Sequence, residues 1–360
     1  MAVAPQEPQV ETVTNGYEPP LPTEQSRGQR VLYFLSRSWL FVFLLLLVLY
    51  FWLSTPQGTF MTWSNLSQIA LTTSEVVLLA IGQTFVIVTA GIDLSVGAVL
   101  FFSGVAGGEV MLALSGSSQQ TINGSYPHAG VAVPVGIVVC ILSGAAWGTF
   151  NGFIITRLRL PPIIVTLGTM AMAFGFGDLI DGGSYLPAPV PPRFTAGFGS
   201  GKFLGIYYPI WVAVIILGIA HLVFQHARFG RYTGAIGSND EGTRRTGIAV
   251  DRHIVKVYGL CGLCAGVAAV LDLAIFTNTT SVAHQTDNLS AISAVVIGGT
   301  SVFGGVGSIL LSAVGAFIPT VLQNGLVIKD VQPFWQEVVV GATIIVAVFL
   351  DQVRRRRMNR

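Results

Sequence analysis

Few residues in this chain have the type and spacing to make or break a bond. The nearest approach to a phosphate-binding loop is Gly199-Ser200-Gly201-Lys202-Phe203. Such a loop needs G-x-x-x-x-G-K-[ST], in which backbone amides cradle phosphate and the hydroxyl holds magnesium. Ala196 stands where the first glycine belongs and Phe203 where the hydroxyl belongs, so the stretch reads as a flexible turn and any ATP must be hydrolysed by another chain. Cys261 and Cys264 are spaced C-x-x-C in one apolar run with no second ligand pair, and Cys140 stands alone. They read as small buried side chains at helix contacts. The five histidines are scattered without metal-ligand spacing. Neither a metal nor a cofactor is expected.

Charge inside apolar stretches is the second place to look, because an ionisable residue within a membrane helix is a functional hypothesis by default. Glu75 and Asp272 lie deepest, whereas Glu109, Asp178, Glu337 and Asp351 fall near the ends of apolar runs. Asp93 falls in a turn, where hydration would make its charge inexpensive and where it could cap a helix beginning at Ser95. No alternating relay of the kind used by proton-coupled carriers is visible. Neutral polar residues within the runs are Gln83, Thr84, Asn151, Thr166, Thr169, Gln323 and Asn324. Together they suit a path for a neutral hydrophilic substrate. Any one of them serves equally well as glue between helices, at about 0.6 kcal/mol each.

The elements carrying these residues are membrane spans. Of the 360 residues, 52% are hydrophobic and only 10% are charged, against about 25% charged in soluble domains. This excludes a soluble enzyme and implies an all-α, polytopic membrane protein. About 20 apolar residues suffice to span a bilayer, and ten segments qualify: 39–55, 69–90, 95–114, 130–156, 161–180, 204–224, 254–277, 289–303, 305–328 and 333–350. The eighth is short and Gly-rich, as a broken or re-entrant element would be. Residues 1–38 form a Pro- and Glu-rich tail expected to be disordered, 39–351 the membrane domain, and 352–360 a basic tail.

Lys and Arg favour the cytoplasmic side of membrane proteins. With the N-terminus inside, ten spans put all of the 19 Lys and Arg residues except Arg193, Lys202 and Lys329 on that side. Both termini are therefore expected in the cytoplasm. The segments 115–128 and 278–288 carry no Lys or Arg and are expected outside.

The insert at about 225–253, HARFGRYTGAIGSNDEGTRRTGIAVDRH at its centre, is far longer than a bilayer hairpin needs. Asn239 can cap a short helix there, with Asp240 and Glu241 in the first turn, Arg244 and Arg245 in the next, and Thr246 and Gly247 ending it. Such an element suits docking onto a soluble partner and passing on its motion.

Several blocks carry a family resemblance. Gly82-Gln83-Thr84-Phe85-Val86-Ile87 is followed by Gly91-Ile92-Asp93-Leu94-Ser95-Val96-Gly97. Asn151-Gly152, the run from Pro161 to Thr169, Ala235-Ile236-Gly237-Ser238-Asn239, Ala294 to Gly298-Gly299-Thr300, and Gly304-Gly305-Val306-Gly307-Ser308 come after it. In this order they resemble the inner-membrane permeases of bacterial ABC sugar importers of the ribose, xylose and autoinducer type. The resemblance implies an ABC importer permease fold of about ten helices and a multi-pass place in the bacterial inner membrane. It also implies a second permease copy, separate ATPase subunits and an extracytoplasmic sugar-binding protein, with no nucleic-acid partner. It makes Asn239 to Gly247 the contact with the ATPase, and Gly91, Asp93, Ser95, Gly97, Gly298, Gly299, Gly304 and Gly305 structural. The substrate it implies is a monosaccharide or similar neutral polyol. The alternatives are a related permease for branched-chain amino acids or nucleosides, and an ion-coupled carrier. The sequence departs from the family in its long N-terminal tail, its extended 115–128 loop, and Gly242-Thr243-Arg244-Arg245, where small residues are usual.

Overall fold

A computed structural model describes residues 27–183 and 190–332, with scattered residues between 334 and 349. Residues 1–26 of the expected tail, the tail at 352–360 and residues 184–189 lie outside the described residues, whereas residues 27–38, expected as disordered tail, are helical at the start of Arg27–Ser54. Met1–Trp39 separates from a main unit, Leu40–Arg360.

The helices are α1 (Arg27–Ser54), α2 (Trp63–Val88), α3 (Val96–Ser115), α4 (Ser118–Ile122), α5 (Ala129–Leu158) and α6 (Pro162–Ile180). They continue with a single turn α7 (Pro192–Phe194), then α8 (Tyr208–His226), α9 (Arg228–Ser238), α10 (Asp240–Arg245), α11 (Val250–Phe276), α12 (Asp287–Ile297) and α13 (Ile309–Ile328). One two-stranded hairpin, β1 (Lys202–Phe203) with β2 (Ile206–Tyr207), holds the Lys202 ammonium 4.3 Å from the Tyr207 ring centre.

Seven of the described helices are long and apolar enough to cross a membrane: α2, α3, α5, α6, α8, α11 and α13. The apolar part of α1, Trp39–Ser54, is shorter. The eighth expected span is only 11 residues long and ends at Ile297, because Gly298 and Gly299 close the helix and residues 301–308 form a loop. The tenth, at 333–350, is described only at scattered positions.

Helix α2 is central. From Thr73 to Val88 every residue is buried, as an apolar helix must be when it is surrounded by protein. Helix α8 is peripheral, with Val214, Ile215, Ile219 and Leu222 each at least half exposed. A continuous apolar surface of this kind is stable against lipid and unstable against water. The chain is a multi-pass membrane protein.

Lipid tails are as apolar as leucine, so membrane helices associate by close backbone approach. Helices α5 and α11 meet along Gly144, Gly148, Gly262 and Gly266. A Cβ at Gly148 would lie 2.1 Å from the Tyr258 carbonyl oxygen, and one at Gly262 would lie 2.1 Å from that of Gly144. Both obstacles are backbone and cannot rotate away. Overpacking typically costs about 1–3 kcal/mol, so Gly148→Val is expected to lower the melting temperature of the detergent-solubilised protein by several degrees. Gly168→Val, where a Cβ meets nothing within 4 Å, should leave it within a degree. Equal melting temperatures for the two variants would contradict this packing.

Candidate functional site

Three sites emerge, joined through α2. The first is the break between α2 and α3. Asp93 is 2% exposed, so the expectation of a hydrated turn is corrected. Its carboxylate accepts hydrogen bonds from Ser95 N–H at 2.8 Å and from Ser95 Oγ at 2.6 Å. Asn151 Nδ2 donates to Ser95 Oγ at 2.8 Å, and Gln83 Nε2 donates to the Asp93 carbonyl. Leu94 N–H donates to Thr166 Oγ1 at 3.1 Å, while Asn288 Nδ2 donates to the Leu94 carbonyl at 3.1 Å. Four helices are thus tied to one short non-helical segment.

The neutral polar residues of the apolar runs mostly join such ties. Thr84 bonds Ser312 Oγ at 2.9 Å and Asn324 pairs with Asn65 at 2.9 and 3.0 Å, whereas Thr169 donates within its own helix to the Thr166 carbonyl at 3.3 Å. Gln323 alone of the seven lines the cavity described below. The glycines mark close approaches: Gly91 lies against the Tyr258 hydroxyl, Gly97 against the His284 carbonyl and Gly298 against the backbone of Leu311.

The second site is the polar insert, which holds two helices rather than one. Helix α9 was not expected. Its Gly237 packs on the Val88 carbonyl at the end of α2, so closely that a Cβ would lie 1.7 Å away. The same carbonyl accepts Gly305 N–H at 2.9 Å, and Gly304 and Gly305 reach it by adopting φ of +86° and +81°, which a side chain would resist. Thr233 Oγ1 lies 2.9 Å from His253 Nε2 and fixes α9 to α11.

Helix α10 then runs from Asp240 to Arg245 as expected. The Asn239 side chain accepts Gly242 N–H at 2.8 Å, and Gly247 leaves the helix at φ +85°. Thr243 is buried and bonds the Asn239 carbonyl at 2.7 Å, while Thr246 bonds the Thr243 carbonyl at 2.8 Å. Arg244 reaches Asp240 at 3.2 Å and Asp251 at 2.6 Å. The bond to Asp251 raises the proton affinity of its guanidinium above the ordinary value. Among the described residues Arg245 pairs only with Glu241, and both side chains are 77% exposed.

The third site is a cavity of about 330 Å³ bounded by α2, α11, α12, α13 and the connection between α11 and α12. Glu75, Asp272, His284 and Asp287 line it. The sequence placed Glu75 and Asp272 deep in their helices but treated His284 as scattered. The usable signal was the His284-x-x-Asp287 spacing, which puts the two side chains in contact at 2.7 Å. Among the described residues no three His, Cys, Asp or Glu side chains converge as a metal site.

Residues 65–348 match the family described as branched-chain amino acid transport system / permease component. The chain is 35% identical over 342 residues to the ribose import permease protein of Escherichia coli K12, covering 92% of this chain and 99% of the relative. It is 34% identical over 314 residues to the D-allose transport system permease protein of the same strain, covering 86% and 90%. It is 31% identical over 320 residues to the galactose/methyl galactoside import permease protein of Haemophilus influenzae, covering 87% and 94%. No solved structure is significantly similar to it. With its lipid-facing helices and ordered glycine breaks, this chain belongs to the permease-component family of ABC transport systems.

Proposed function

We propose that the chain forms the translocation path of an ABC importer for a monosaccharide or similar neutral polyol. An extracytoplasmic binding protein delivers the sugar. A separate ATPase, docked on Asn239 to Gly247, supplies the work, and two copies of the chain form the membrane unit with both termini in the cytoplasm. The observation that carries this reading is the 35% identity to a ribose import permease over 92% of the chain. The family description names amino acids, but the allose and galactose permeases at 34% and 31% identity also favour a sugar.

The test is reconstitution in vesicles with the cognate ATPase and binding protein. ATP-dependent uptake of D-ribose, D-allose or D-galactose is expected, with L-leucine excluded. Uptake of leucine alone would favour the amino-acid alternative. The permease by itself is expected to hydrolyse no ATP, because its closest phosphate-loop candidate is a turn leading into a hairpin at Lys202–Phe203. Hydrolysis by the isolated chain, traceable to it, would refute the division of labour.

A further inference from the structure

Helix α12 rises about 16 Å, roughly half of the 30 Å hydrocarbon core. The chain between α11 and α12 compensates by entering the bundle. The His284 carbonyl rests against Gly97 near the start of α3, at 2.6 Å from where a Cβ would sit. Irregular backbone at membrane depth is tolerated where it is covered by protein or lines a polar cavity. Here it lines one. Glu75 enters the same cavity about 18 Å along α2 from its first residue.

The hydrogen bonding in the cavity is incomplete. His284 Nδ1 lies 2.7 Å from Asp287 Oδ2, and a carboxylate can only accept, so Nδ1 donates. His284 Nε2 lies 2.9 Å from Thr279 Oγ1 and 3.4 Å from Asp272 Oδ2. Among the described residues Glu75 Oε1 is buried without a hydrogen-bond partner, in a residue 8% exposed, and Asp272 Oδ2, in a residue 3% exposed, has only the long contact to His284 Nε2. Open carboxylate oxygens at this depth are costly unless a ligand satisfies them.

The chemistry of that ligand is constrained. It must donate to Glu75 Oε1 and can add a shorter bond to the loosely held Asp272 Oδ2, and hydroxyl groups make short, strong hydrogen bonds to carboxylates. Thr72, Thr280, Ser290 and Gln323 around the wall both donate and accept, as the hydroxyl groups of a polyol do. No Lys or Arg is among the described residues lining the cavity, so an amino acid would bring a carboxylate without a Lys or Arg partner. Val76, Leu79 and Phe276 supply apolar wall for a C–H face. A volume of about 330 Å³ lies at the small end of ligand pockets.

We propose that this cavity binds the sugar in passage, with Glu75 and Asp272 each accepting a hydrogen bond from one of its hydroxyl groups. His284 acts as a positioning residue that holds Asp272 and Asp287. The proposal rests on the sugar-importer reading and adds to it the place inside the permease where the substrate is recognised.

The test uses the complete transporter in vesicles with Glu75→Gln and Asp272→Asn, and D-ribose, D-allose and D-galactose as probes. Each variant is expected to lose tenfold or more of sugar uptake and to change the ratio of ribose to galactose transport. Stimulation of ATP hydrolysis by the liganded binding protein should persist. A purely structural role would lower all three sugars together and leave that ratio unchanged, which would overturn the proposal, as would uptake within twofold of the parent. A second measurement needs neither carboxyl variant to fold. Cys140, Cys261 and Cys264 are buried, so Thr280→Cys offers a single accessible thiol on the cavity wall. Excess D-ribose is expected to slow its labelling severalfold, and L-leucine is not. Labelling indifferent to sugar would overturn the proposal even if both carboxyl variants failed to assemble. A parent transporter that carries no sugar would instead overturn the importer reading, and the two failures are distinct.

Discussion

Reversing Glu241 and Arg245 is expected to stop transport while leaving the membrane domain folded. The two side chains are 77% exposed and, among the described residues, pair only with each other. A solvated pair of this type contributes about 0.3–0.5 kcal/mol to its helix, so either Glu241→Arg or Arg245→Glu should insert and melt like the parent. Arg244 is the poorer probe, because its bonds to Asp240 and Asp251 fasten α10 to the start of α11. Like charges set across an interface can cost several kcal/mol. On that scale the single reversals should weaken binding of the ATPase by tenfold or more, and uptake with it. The double exchange Glu241→Arg with Arg245→Glu keeps an i,i+4 pair within α10 but inverts the charges offered to a partner. If the exposed pair served only α10, the double exchange would restore uptake; as an interface element it should not. Motion imposed on α10 has a rigid route onward, since α9 packs through Gly237 on the Val88 carbonyl of α2. Glu75 stands on the same helix. Normal assembly, hydrolysis and uptake in all three variants would show that α10 is not the coupling element.

What the sequence disclosed about this segment and what it concealed differ in range. Asn239, Asp240, Glu241 and Gly247 act within a single short helix, and cap and stop chemistry is local, so α10 was legible. Helix α9 is held by Gly237 on α2 and Thr233 on His253, contacts that no local pattern announces. The expected span at 289–303 overran because its apolar run continues through Gly298 and Gly299, while the turn is fixed by tertiary contact and by φ +87° at Gly299. The seven neutral polar residues were visible as polar groups in apolar helices, but periodicity does not say which faces meet another helix. Asn151 and Thr166 turned toward the break at Asp93, and Gln323 toward the cavity. The Glu75–Asp272–His284–Asp287 cluster draws on separate parts of the chain, and only the inward path between α11 and α12 brings His284 to it.

Asp93→Ala is expected to be among the most destabilising single substitutions in the membrane domain. The loss is not that of one charge. Without the carboxylate, Ser95 N–H and Ser95 Oγ–H lose their acceptors at a site that is 0% exposed. Leaving a buried donor unpaired costs about 1–3 kcal/mol, so two of them set a loss of about 2–6 kcal/mol. Ser95 Oγ also receives Asn151 Nδ2, and its reorientation would loosen α5 from the break. Removing a buried charge works in the opposite direction by relieving desolvation, and Asp93→Asn separates the two effects. Asparagine keeps a side-chain oxygen to accept from Ser95 and gives up the charge. If the hydrogen bonds dominate, Asp93→Asn should retain most of the parent melting temperature while Asp93→Ala falls by many degrees and expresses poorly. If the charge itself were required, both variants would fall together. Thermal unfolding of the detergent-solubilised protein reads the difference directly, and an Asp93→Ala variant that melts with the parent would show that the break between α2 and α3 does not depend on this carboxylate. Gln83, Thr166 and Asn288 hold the segment through backbone atoms of Asp93 and Leu94, bonds that survive either substitution, so the difference between the two replacements reads the Ser95 hydrogen bonds alone.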